Sequence, residues 1–354
     1  MRLFACPACR LVVFFENTVC ERCASALGYE PSANTMLALS APDAEGVHTA
    51  AAGRHEGERY RYCANYTHGV CNWLVPADEG PAALCRACRH NVVIPDLSAP
   101  ANLAAWRRIE LAKHRLVYTA LRLELPLVDR TERPDDGLGF QFLADDAARV
   151  MSGHAHGIIT IALAEADDAE REARRTQLHE PYRTLVGHFR HEVGHWYWDQ
   201  LVRDTPARAR FTELFGDSDQ DYAAALEQYY QSGPPADWQA SLVSAYAAAH
   251  PWEDFAETWA HYFHIVDTLE TGGSYRISLT PKLDFDQLLT TSLDFDVYAA
   301  ELPLTTLIDA WIALSTALNS FNRSMGLADA YPFVLAPRVI EKLGFIHELV
   351  RSTD

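Results

Sequence analysis

Two histidines four residues apart, with a glutamate directly after the first, are the part of this 354-residue chain best suited to chemistry: His191-Glu192-Val193-Gly194-His195. On an α-helix, positions i and i+4 lie one turn apart on one face, so two imidazoles at that spacing can bind one zinc ion. Glu192 then sits beside the metal, where a carboxylate can take a proton from a water. The surrounding run supports a helix. Leu185, Val186, Phe189, Val193, Trp196, Tyr197 and Leu201 recur at helical spacing and would bury the opposite side. The bland reading of the same run is an amphipathic helix with surface histidines.

A catalytic zinc normally takes three protein ligands and keeps one position open. The extended motif HExxHxxGxxH is absent, because Trp198 and Leu201 stand where its Gly and last His would be. His188 shares the helical face, but a straight helix does not easily converge three side chains on one ion. The better source is HPWEDFAETWAHYFH. Pro251 can occupy the first turn of a new helix, and Glu253 and Glu257 then lie one turn apart on one face. A ligating His usually gives its second N–H to a carboxylate or carbonyl, so this pair can supply both needs: Glu253 on zinc, Glu257 holding an imidazole. Two surface glutamates at helical spacing are the plain alternative. Asp254 and His261 are lesser candidates.

All eight cysteines fall within the first 88 residues. Cys6, Cys9, Cys20 and Cys23 have the spacing of two CxxC turns, each pointing two thiolates at one ion. LVVFFEN between them reads as part of a β-hairpin. Cys63, Cys71, Cys85 and Cys88 form a second, less regular set with one CxxC pair. Two closed four-cysteine sites are expected, both structural, although an interleaved pairing stays open. So short a stretch buries too little apolar surface to fold without metal.

The rest of the chain must position these groups. Residues 31–60 read as loop and NVVIPDLSAPAN as the exit from the zinc module. A long helix is expected in NLAAWRRIELAKHRLVYTALRLEL, then strands in GLGFQFLAD and GIITIAL, the second as an edge strand beside the catalytic helix, where it could pair with an extended peptide. His154 and His156, in GHAHG, fit a turn better than a metal site. EADDAEREARR is a solvated charge run. Helices are expected at 181–203, 218–231, 238–249, 251–270, 303–323 and 337–350. The fold class is therefore α+β: residues 1–97 a zinc-ribbon module with two four-cysteine sites, residues 98–354 a mostly helical zincin-like domain with a small sheet.

A formal charge of −18 argues against duplex DNA or an anionic membrane as partner, since phosphates demand a basic surface. Arg22, Arg86 and Arg89 are too few to reverse that balance. No stretch of about eighteen apolar residues appears. MRLFACPACR lacks the apolar core of a signal peptide, so a reducing, cytoplasmic setting is expected, where thiols serve metals more often than disulfides.

The HExxH helix followed by an E-x-F-A-E helix resembles the gluzincin metallopeptidases. By that match Glu253 is the third ligand and Glu257 its supporter, with a longer separation from His195 than in thermolysin-like members. More closely, the chain resembles a bacterial family of zinc-binding metallopeptidases with an N-terminal zinc ribbon. CPAC, FFENTVCERC, CNWLVPAD, LCRACRHN, EPYRTLVGHFRHEVGHWYWD, SAYAAAHPWEDFAETWAHY and VDTLET carry this resemblance over nearly the full length. It implies hydrolysis of peptide bonds in a peptide or protein substrate, with Glu192 as general base and three zinc ions, one catalytic and two structural. Some gluzincins carry a tyrosine before the third-ligand segment as oxyanion donor, which makes Tyr246 the candidate here, against a core tyrosine. A second reading has the ribbon docking a protein partner and the metallopeptidase-like domain no longer cleaving.

Overall fold

A computed structural model describes residues 2–145, 150–171 and 184–352. The chain divides into two compact units, one of residues 1–121 and 127–167, the other of 122–126 and 168–354.

The first unit begins with short antiparallel ribbons. β1 (Phe4–Ala5) pairs with β2 (Val12–Val13), β3 (Ala26–Glu30) with β4 (Thr35–Leu39), and β5 (His48–Thr49) with β6 (Arg59–Tyr62), which in turn pairs with β7 (Leu74–Pro76). The expectation of loop across 31–60 is thus corrected: β4, β5 and the start of β6 lie there. Strands of two to five residues leave little periodicity to read, although Ala38 and Ala50 of this stretch are buried. Helix α1 (Pro100–Arg122) begins on a proline, whose missing N–H costs nothing in a first turn. Its Tyr118 ring joins Phe15, Tyr29 and Trp73 in an aromatic core, with edge-on packing of Phe15 on Tyr118 at 5.3 Å. Helix α1 therefore shares a core with the cysteine-bearing ribbons.

The same unit contains a four-stranded sheet in the order β10–β11–β9–β8, made of β8 (Asn91–Val93), β9 (Gly139–Leu143), β10 (Gly153–Ala155) and β11 (Ile158–Ala162). GIITIAL is β11, as a strand was expected, but it is not an edge. It pairs in parallel with β9 on one side and antiparallel with β10 on the other. The turn between β10 and β11 uses His156 at φ 49° and Gly157 at φ 79°, and His154 Nε2 accepts from the Gly157 N–H at 3.2 Å. That turn folds β10 back over the side of β11 expected to be open.

The second unit is helical: α2 (Leu185–Leu201), α3 (Ala207–Phe215), α4 (Tyr222–Ser232), α5 (Pro251–Ser274), α6 (Leu304–Ser324) and α7 (Pro337–Arg351). Residues 172–183, including the start of the helix expected at 181 and part of the charge run, lie outside the described residues. Helix α3 escaped the sequence reading, and 238–249 is not a helix. It contains only 3-10 turns at Trp238–Ala240 and Tyr246–Ala248. Pro251 disfavours helix at the residue before it, and His250 is fully extended at φ −164°, ψ 151°. The result is an α+β protein with a zinc-ribbon N-terminus. No helix among the described residues is long and apolar enough to cross a membrane.

Candidate metal centre

Two helices build the site. Thr184 caps α2, its Oγ1 accepting from the Gly187 N–H at 3.0 Å. This fixes the helix start so that His191, Glu192 and His195 fall on consecutive turns. Helix α5 is capped by His250, whose Nδ1 accepts from the Trp252 N–H at 3.1 Å, with Pro251 at the first helical position. Glu253 and Asp254 follow in the first turn, where the helix dipole favours carboxylates. Asp254 faces away from the imidazoles and pairs with Lys342 of α7 at 2.5 Å, deep in the unit.

The helices approach closely because residue 194 is glycine. A Cβ there would meet the Ala256 Cα at 3.1 Å and the Trp259 Cβ at 3.2 Å. With that contact made, Glu253 reaches both imidazoles. Its Oε2 lies 3.0 Å from His191 Nε2 and 3.4 Å from His195 Nε2, and the two Nε2 atoms are 3.2 Å apart. Ligands about 2.05 Å from a tetrahedral zinc stand about 3.3 Å from one another, so this triangle has the size of a zinc-binding face. His191 Nδ1 lies 2.6 Å from Glu257 Oε1, so its proton belongs on that side and its Nε2 presents a lone pair to the carboxylate of Glu253. Buried Glu253 Oε2 accepts no hydrogen bond. Lone pairs converging on one point in a dry place call for a cation, and the donor set suits zinc.

The surrounding carboxylates favour positive charge at this point, which a proton on His191 or a cation can supply. Burial works against a charged His191, but Glu253 and Glu257 beside it prevail and hold its pKa well above the ordinary value. Burial likewise raises Glu192 and Glu253, yet the neighbouring histidines prevail. His188 Nε2, 3.0 Å from Glu192 Oε1, holds Glu192 below the usual carboxylate range, and His195 and His191 hold Glu253 well below it. His188 thus contacts the glutamate between the two imidazoles, not their Nε2 atoms.

Sequence reasoning missed two neighbours. Tyr222, the first residue of α4, donates its hydroxyl to Glu253 Oε1 at 2.5 Å. The Trp252 ring lies 4.0 Å from that of His195. Trp252 adjoins Glu253 and was findable. Tyr222 lies on a separate helix, and no spacing rule links it to the site. Tyr246 packs its ring 5.9 Å from that of His191, and burial raises its pKa well above the ordinary value. His261 stands one turn beyond Glu257 and is bonded instead to the Tyr331 hydroxyl at 2.6 Å.

The cysteines gather as two separate clusters, Cys6/Cys9/Cys20/Cys23 and Cys63/Cys71/Cys85/Cys88, with no interleaving. Sulfurs on one zinc stand about 3.8 Å apart; Cys6–Cys23 is 3.7 Å, Cys9–Cys20 3.5 Å and Cys71–Cys85 3.7 Å. In the second cluster backbone N–H groups of Trp73, Cys85 and Cys88 point at the sulfurs of Cys71, Cys63 and Cys85 at 3.3–3.4 Å. None of the eight is in a disulfide.

Comparison with known proteins fits this arrangement. Residues 102–349 match the family described as "Putative zinc-binding metallo-peptidase", and residues 3–99 match a zinc-ribbon domain. The chain is 43% identical over 352 residues, 99% of its length and 95% of the relative's, to uncharacterized proteins of Mycobacterium tuberculosis strains H37Rv and CDC 1551 and of Mycobacterium bovis. No solved structure matches. The chain belongs to this zinc-binding metallopeptidase family, with a zinc ribbon ahead of the peptidase domain.

Proposed function

We propose that the protein is a zinc-dependent peptidase of gluzincin type. His191, His195 and Glu253 would hold the metal, and Glu192 would act as general base. The observation that carries the reading is the triangle of two imidazole nitrogens and one unpaired carboxylate oxygen with 3.0–3.4 Å edges. When bound, zinc lowers the pKa of a water toward neutrality and polarises a carbonyl. The chain's own residues do the rest. Glu192, ionised at neutral pH, accepts the water proton and passes it to the leaving amine. His188 steers that carboxylate, and Glu257 keeps the His191 tautomer that leaves Nε2 free. Tyr222 fixes the Glu253 carboxylate through Oε1, leaving Oε2 for the metal. Tyr246, its hydroxyl held protonated by burial, is the candidate donor to an oxyanion. Free thiols fit a reducing, cytoplasmic setting.

The test is a peptide-library digestion by zinc-loaded protein, with and without a chelator, beside Glu192→Gln. Cleavage that the chelator stops, and that the variant lacks while keeping its zinc, supports the proposal. A zinc-loaded wild type that leaves every peptide intact overturns it in favour of a docking protein that no longer cleaves.

A further inference from the structure

The second cysteine cluster does not end at its four thiols. Helix α1 lays Glu110, Lys113 and His114 against it, and all three side chains are buried. His114 Nδ1 lies 2.6 Å from the Glu110 carbonyl oxygen, a position only an N–H can hold. That places the proton of a neutral imidazole on Nδ1 and leaves Nε2 as a lone pair. Nε2 is 3.2 Å from Cys71 Sγ and 3.7 Å from Cys88 Sγ. A nitrogen and a sulfur on one zinc stand about 3.5 Å apart, between those two values. Glu110 has one oxygen fully engaged: Oε1 accepts from Trp106 Nε1 at 3.1 Å, Asn91 Nδ2 at 2.7 Å and Lys113 Nζ at 3.0 Å. Its Oε2 turns toward Cys88 Sγ at 4.0 Å and pairs with Lys113 Nζ at 2.9 Å. One ligand atom each from Cys88, Glu110 and His114 falls within 4.8 Å of the others.

We propose that this pocket binds two divalent cations, one among the four cysteines and a second between Cys88, His114 and Glu110, with the Cys88 thiolate shared. Charge supports it independently of the distances. With the His114 imidazole neutral, as a metal ligand must be, four thiolates and Glu110 face a single ammonium, Lys113, with no exposed residue among them. One divalent ion leaves a buried pocket two charges negative, and a second neutralises it, whereas unbalanced buried charge is costly. The first cluster has no such problem, because Cys9 is half-buried, Cys23 is exposed and water can screen its charge. A mixed sulfur, nitrogen and oxygen donor set suits zinc. The second position lies outside the four-cysteine pattern, and no short sequence motif links Cys88 to a helix beginning at Pro100.

The experiment counts zinc by native mass spectrometry in full-length His191→Ala/His195→Ala protein, where the proposed catalytic ion cannot contribute. Three zinc ions are expected, falling to two in the same protein carrying His114→Ala or Glu110→Gln. Cobalt substitution of those variants should keep the sulfur-to-cobalt charge-transfer bands of intact four-cysteine sites. Should the variants fail to fold, zinc-edge X-ray absorption of the wild type decides alone, because two ions sharing a thiolate give a metal–metal vector at about 3.5–4 Å. Two zinc ions before and after substitution, or no metal–metal vector, would overturn the proposal and leave His114 as a hydrogen-bonding neighbour of a one-metal site.

Discussion

Replacing Gly194 by alanine should injure the metal centre without touching any residue in it. The added Cβ would stand 3.1 Å from the Ala256 Cα, a backbone atom of α5 that cannot rotate away, and 3.2 Å from the Trp259 Cβ. Carbon atoms pack comfortably at about 3.5–4.0 Å, so α2 and α5 must separate by roughly half an ångström. Alanine in place of glycine improves the helix by about 1 kcal/mol, while overpacking a close contact costs about 1–3 kcal/mol, so the net stability change is small. The metal centre has less tolerance. Its imidazoles ride on α2 and Glu253 on α5, so the separation opens the 3.0 Å and 3.4 Å edges directly. Disturbing the support of zinc ligands costs about 10–100-fold in affinity, and opening the ligand triangle by about half an ångström should cost at least the lower figure. Competition against a chromophoric zinc chelator, taking the zinc bound beyond that of His191→Ala/His195→Ala protein, reads the site, and thermal melts of Gly194→Ala made in that double-variant background read the stability change separately. Gly194→Ala protein with wild-type zinc affinity at the site would refute the claim that this close approach sets its geometry.

Other outcomes follow from the same contacts. Glu192→Gln should retain zinc and fold but hydrolyse nothing; a variant that cleaves at the wild-type rate removes Glu192 as base. Glu253→Ala removes one of three protein ligands and should weaken zinc binding more than Glu257→Ala, whose loosened imidazole should cost about 10–100-fold in affinity or activity; isothermal titration showing the reverse order would exchange their roles. Buried His261 has its pKa pushed down by burial to about 4 from a reference of 6.5. The unfolded chain therefore takes the proton first, so this stabilisation is complete above about pH 6.5 and lost as pH falls toward 4. Between pH 7 and 5 the loss is about 2 kcal/mol by linkage, and urea midpoints should show His261→Gln with a flatter pH dependence than wild type; equal slopes would contradict the sign argument.

Much of the site can be read in the sequence because its residues obey local rules. His191 and His195 share a turn of one helix, and Glu253 and Glu257 share a turn of another, so each pair announces itself by spacing. What the sequence hides is tertiary. Nothing near Tyr222 says that its hydroxyl meets Glu253, and nothing in HEVGH says that its glycine is where α5 comes closest. His114 reads as one more polar residue in a long amphipathic helix until Cys71 is seen beside it. The fold follows the same division. The helices at 251, 304 and 337 carry strong apolar periodicity with proline at or beside each start, and they appear near their expected bounds. The alanine-rich stretch before His250 has helical composition, yet the proline after it and the cap it must deliver override propensity. β11 was misplaced because its neighbours depend on pairing with β9 across some twenty residues of chain.

The most direct test of the metal centre is a crystal structure of zinc-loaded protein with data collected on both sides of the zinc edge. The account predicts an anomalous peak within about 2.2 Å of His191 Nε2, His195 Nε2 and Glu253 Oε2, with Glu257 on His191 Nδ1 and Glu192 beside the open position. A peak held by Glu257 or Asp254 while Glu253 turns to solvent, or no peak between α2 and α5, would contradict it.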